Sequence, residues 1–82
     1  MNIRLENKVL ENIRIMASAP DMDTVVDQFG LGYGHVIFAL NRGLIEPEEF
    51  AELVKALRHE FVNGINRLEE SENVEKLYSA YG

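Results

Sequence analysis

Residues 47–70, PEEFAELVKALRHEFVNGINRLEE, constrain this chain more than any other stretch. Advancing 100° per residue from Phe50, the side chains of Phe50, Leu53, Val54, Leu57, Phe61, Gly64, Ile65 and Leu68 fall within an arc of about 120°. Glu52, Lys55, His59, Asn63, Asn66 and Glu70 lie opposite. An amphipathic helix of this length must have its apolar stripe covered by other parts of the chain or by another molecule. Its start is marked as well. Pro47 suits the first helical position, where a missing N–H costs nothing. Glu46, Glu48 and Glu49 bring negative charge to the positive end of the helix dipole. With Glu46 as N-cap, Ile45 and Phe50 are spaced as a hydrophobic staple.

Eighty-two residues make one domain, 1–82, and a domain this small buries only about 60–65% of its unfolded surface. A hydrophobic content of 46% supplies a core and a charged content of 27% a solvated surface, so a folded domain is expected rather than a disordered chain. The absence of cysteine removes disulfide frameworks and thiolate zinc sites. No apolar run approaches the ~18 residues of a membrane span, and residues 1–20 lack the pattern of a signal peptide, so a cytoplasmic protein without membrane contact is expected.

Four further segments read as helices. Residues 2–17 place Leu5, Val9, Ile13 and Met16 on one side and Arg4, Lys8, Glu11 and Arg14 on the other. Residues 18–21, Ser-Ala-Pro-Asp, break the pattern, and Asp21 or Asp23 can cap a helix that begins there. Residues 22–29 form a short second helix through Val25, Val26 and Phe29. Gly30, Gly32 and Gly34 together cost a helix interior roughly 2–3 kcal/mol relative to alanine, which predicts a turn beginning at Gly30. A third helix at about 32–42 carries Tyr33, Val36, Ile37 and Leu40 and stops at Gly43. After the long helix, Ser71 can cap a last short one at 72–80, where Val74, Leu77, Tyr78 and Tyr81 share a side. The expectation is an all-α domain of four to five helices, with the 47–70 helix as spine.

Reactive chemistry finds no support. The run FGLGYGH has no strand before it and no Lys-Ser/Thr ending, so it is a turn signal and not a phosphate loop. His59 with Glu52 and Asn63 offers too few ligands for zinc. Glu48/Glu52 and Glu69/Glu70 lack an apolar pocket that would make one of them a general acid. No enzymatic activity, metal, cofactor or small-molecule substrate is expected.

Residues 22–43, MDTVVDQFGLGYGHVIFALNRG, resemble the helix-turn-helix of phage Cro and repressor proteins. Gly30 falls at the turn glycine, Leu31 at the apolar position after it, Val36 at the buried β-branched position, and Ala39-Leu40 at the small/large pair beyond it. The resemblance covers about a quarter of the chain and implies a DNA-binding dimer whose second helix enters the major groove. It would place Tyr33, His35, Asn41 and Arg42 among the residues facing DNA. Ile37 and Phe38, however, stand where base-reading proteins carry polar side chains, and Arg42 is the sole Lys or Arg in the segment, against Asp23 and Asp27.

Charge bears on the choice. The net charge is −6, concentrated after residue 20. An acidic chain with surplus apolar surface and no reactive constellation points first to a non-catalytic protein-binding module, such as a regulator or inhibitor of a larger protein. Tyr33, Ile37, Phe38, Tyr78 and Tyr81 are its expected anchors, ringed by glutamate. A helix-turn-helix transcriptional regulator is the second expectation. Imitation of nucleic acid by the acidic face, with Glu48, Glu49 and Glu52 at its centre, is the third. A homodimer is expected, because symmetry can complete a long apolar stripe in so small a chain.

Overall fold

The computed structural model describes the backbone of residues 3–81 and the side chains of residues 3–70. It consists of three α-helices, α1 (Ile3–Ala17), α2 (Met22–Asn41) and α3 (Pro47–Tyr81), each in contact with the other two. The molecule measures 56 × 17 × 15 Å, and α3 alone runs about 52 Å at 1.5 Å per residue.

The all-α expectation holds, but there are three helices where four to five were expected. The anticipated second and third helices are one, so the turn at Gly30 does not form and no two-helix angle exists within 22–41. Among the described residues only Gly43 has a positive φ, +70°, the conformation that a C-terminal glycine needs. The reason α2 continues through three glycines is tertiary. Val25, Gly32, Val36 and Ala39 are buried on a single unbroken stripe, with Phe29 packed against the same core. That burial outweighs the intrinsic helix penalty of glycine. The bend expected in the run EESEN is also absent, and the fourth and fifth helices merge into α3. This run contains no proline or glycine, and its glutamates are good helix formers.

Helix termini obey the local signals. The carboxylate of Asp21 accepts the N–H of Thr24 at 2.8 Å and caps α2. At the far end, Leu44 N–H donates to Ala39 C=O (2.9 Å) and Gly43 N–H to Leu40 C=O (3.1 Å), the paired bonds of a Schellman motif. Pro47 opens α3, and Ile45 just before it is buried in the core that Phe50 packs against. The C-terminus of α1 is closed from a distance: the Arg67 guanidinium on α3 donates to the carbonyls of Met16 (3.2 Å) and Ala19 (3.1 Å). A cation there also opposes the negative end of the α1 dipole.

The core lies on the axis of the bundle, with Val9, Met16, Val25, Val36 and Leu57 fully buried. Close approach at two points uses glycine. A Cβ on Gly32 would stand 2.7 Å from Leu57 Cδ2, and one on Gly64 would stand 3.3 Å from both γ-methyls of Val25. Four rings line the α2–α3 seam: Phe29 lies 5.8 Å from Tyr33 and 4.6 Å from Phe61, and Tyr33 lies 6.4 Å from Phe50. Asn12 is the one buried polar side chain among the described residues; its Nδ2 donates to Gln28 Oε1 at 2.8 Å and ties α1 to α2 in one register.

Candidate protein interface

The α1–α2 hairpin is antiparallel about the turn at 18–21, so the start of α1 lies against the end of α2. Between them is a cleft of about 170 Å³ lined by Arg4, Leu5, Lys8, His35, Phe38, Ala39 and Leu44. Its floor is apolar. Phe38 is 55% exposed and Leu44 53%, large fractions for side chains of that size. Leu44 reaches this position because the Schellman motif at Gly43 turns the chain back over the end of α2.

The rim is cationic. Arg4 and Lys8 stand one turn apart on α1, and the Arg42 guanidinium lies 4.8 Å from the centroid of the Phe38 ring. His35 faces the same space, half-buried, and its Nδ1 is shielded from solvent with no hydrogen-bond partner among the described residues. Among the described residues no carboxylate lines the cleft. In a chain of net charge −6, the lining of this one cleft brings Arg4 and Lys8 beside an exposed aromatic ring, while Glu46, Glu48 and Glu49 lie at the same end of the bundle outside it. The glutamate ring anticipated around Phe38 is replaced by Arg and Lys, because the hairpin delivers the basic face of α1.

The residues singled out from the sequence separate in space. His35 and Phe38 share the cleft, and the Arg42 guanidinium lies over the Phe38 ring. Ile37 is exposed on the outer side of α2, and Asn41 is exposed at its last turn. Tyr33 is half-buried between Phe29 and Phe50, as part of the α2–α3 seam. The side chains of Tyr78 and Tyr81 lie outside the described residues. Leu5 and Leu44 were not anticipated as site residues. The i, i+4 spacing of Arg4 and Lys8 put them on one side of α1, but their proximity to Phe38 depends on how the hairpin closes.

Comparison with known protein families, with curated proteins and with solved structures finds no match to this chain.

Two other features are less developed. A broad shallow depression on α3 is lined by Glu52, Lys55, Ala56, Arg58, His59 and Val62, all from one helix and of mixed charge. There His59 Nε2 lies 3.2 Å from Asn63 Nδ2. Among the described residues no group of three His, Cys, Asp or Glu side chains is placed to hold a metal ion, and no helix is long and apolar enough to cross a membrane.

Proposed function

We propose that the chain is a non-catalytic protein-binding module, a small regulator or inhibitor that grips a larger protein through the Phe38 cleft. The observation that carries this reading is the exposed Phe38–Leu44 floor inside a rim of Arg4, Lys8 and Arg42. Exposed aromatic and aliphatic groups with a charged border have the composition of an interface hot spot. The rim selects the partner's chemistry: an apolar side chain inserted at Phe38, flanked by Asp or Glu that meet Arg4 and Lys8. A macromolecular partner suits this floor better than a small molecule, since an open, shallow cleft encloses little of a compact ligand.

The test is loss of a co-purifying protein. Phe38→Ser and the reversal Arg4→Glu/Lys8→Glu should each abolish recovery with helicity unchanged, whereas Glu52→Lys on the far helix should not. Recovery that survives the charge reversal would remove the acidic-partner reading.

A transcriptional regulator is a second reading, favoured by one observation. Arg4 and Lys8 line one cleft with His35, and Arg42 lies over Phe38 there, which supports a reading in which these cations meet phosphates. With α2 unbroken, such binding would rely on this cluster rather than on a helix-turn-helix. Steeply salt-dependent binding to duplex DNA, lost in Arg42→Ala, would establish it and displace the first reading.

A further inference from the structure

The cations at the Phe38 cleft lack counter-ions. Arg4, Lys8 and Arg42 are exposed, and among the described residues none of their side chains donates a hydrogen bond or meets a carboxylate. Elsewhere in the bundle Arg14 lies 3.7 Å from Glu11, and Arg67 donates to two carbonyls. Acidic side chains outnumber Lys and Arg in this chain by 14 to 8, yet none lines the cleft among the described residues. The Phe38 ring attracts the Arg42 guanidinium, 4.8 Å from its centroid, without consuming the hydrogen-bond donors of that group. A planar fork of donors is suited to a carboxylate, which it can meet through two parallel bonds. His35 adds a ring nitrogen, Nδ1, that finds no partner among the described residues. Beside these polar groups the floor of Leu5, Phe38, Ala39 and Leu44 is apolar, and the volume is about 170 Å³, near the ~150 Å³ that takes one benzene ring.

We infer that the cleft takes the C-terminal residue of a partner chain, one that ends in a large apolar side chain such as Leu or Phe and keeps its carboxylate free. Such an occupant depends on the protein-binding reading above and narrows it, because the negative charge comes from the end of the main chain and not from a neighbouring Asp or Glu. Size selects the terminus first. The cleft has room for about one side chain, and in a terminal residue the carboxylate is bonded to the same Cα as that side chain. One residue then delivers both groups into a small space. For an internal residue the charge must come from a neighbour: adjacent side chains of an extended chain point to opposite faces, and the next on the same side stands about 7 Å away. Position agrees with size. Arg4 and Lys8 line the same small cleft as the floor residues, and Arg42 lies over Phe38 itself, so the cations border the apolar surface directly. A carboxylate that meets them must sit as close to its own apolar group, as it does at a chain end.

The test titrates the full, isotope-labelled chain with N-acetylated Gly-Ser-Gly-Ser-Phe, once as the free acid and once as the C-terminal amide, and follows backbone signals by NMR. The acid should bind with a dissociation constant on the order of 0.1–1 mM and move the signals of Leu5, His35, Phe38 and Leu44, while those of Ala56 and His59 on α3 stay in place. Binding is weak because the three cations are exposed and screened by solvent and salt. The amide should bind about fivefold to tenfold more weakly, and so should the acid to Arg4→Gln/Lys8→Gln or to Arg42→Gln. Phe38→Ser should weaken the acid by about tenfold or more. All these side chains are exposed, so each variant should keep its helicity. Equal binding of acid and amide overturns the inference, as does the absence of any shift at about 5 mM of the acid. Tighter binding of N-acetylated Ser-Asp-Phe-Asp-Ser amide, whose acidic groups are internal, also overturns it but leaves the protein-binding reading in place.

Discussion

Gly32→Ala is the substitution whose sign the packing reverses. In an isolated helix, alanine in place of glycine is favourable by up to about 1 kcal/mol. In this bundle the new methyl would stand 2.7 Å from Leu57 Cδ2 and 3.3 Å from both Leu57 Cδ1 and Asn12 Oδ1. Leu57 is fully buried, so its methyls have little free space to retreat into, and Asn12 is held to Gln28. Overpacking of this kind costs about 1–3 kcal/mol, so after a helical gain of about 1 kcal/mol the net is a loss of up to about 2 kcal/mol. For a domain of this size that is a fall in Tm of up to about 16 °C. Gly30→Ala and Gly34→Ala, with open space at the Cβ, should instead raise Tm by about 2–8 °C each. Thermal unfolding monitored by circular dichroism reads these shifts. Equal stability of all three alanine variants would show that α2 and α3 do not meet at Gly32 as described.

Other consequences come from single contacts. Arg67→Ala removes two hydrogen bonds to α1 carbonyls and should lower stability by about 1 kcal/mol in urea unfolding, discounted from the usual charged-donor figure because the side chain is exposed. Phe61→Ala empties the middle of the aromatic seam 4.6 Å from Phe29 and should cost about 2–3 kcal/mol, below the full-burial range because Phe61 is half-buried. The hydrogen bonds from the side chain and then the backbone N–H of Thr24 hold the Asp21 carboxyl below its usual 3.8. The stabilisation is therefore complete above pH 3.8 and is lost as pH falls through the lower value in the folded protein. Asp21→Asn keeps a capping oxygen without that titration, so its Tm should fall less than the natural chain's between pH 7 and pH 3; an equal fall would contradict the cap.

The limits of reading the chain from its residues show at three places. Gly30, Gly32 and Gly34 carry a local penalty that argues for a turn, yet Val25, Phe29, Gly32, Val36 and Ala39 recur at helical spacing straight through them. The periodicity was the better guide, because burial along a whole helix exceeds the intrinsic preference of three residues. Asn12 comes after Leu5 and Val9 and before Met16 on the same stripe, but its burial depends on Gln28 being there to accept its amide. Arg4 and Lys8 are an ordinary basic face of α1 until the hairpin sets them beside Phe38.

The amino-acid order alone determined whatever depends on neighbours within a turn or two. This includes the all-helical class, the limits of α1, an aspartate cap at Asp21 or Asp23, the stop at Gly43, the start at Pro47 and the apolar stripe of 47–70. Capping, glycine φ and amphipathic spacing act over a few residues and are written in the chain. Only the tertiary structure decided that α2 is continuous, that Arg67 closes α1 from 48 residues away, and that the cations of an acidic protein surround its most exposed phenylalanine. Those outcomes rest on contacts between distant segments, where packing of one helix on another outweighs the local preference of either.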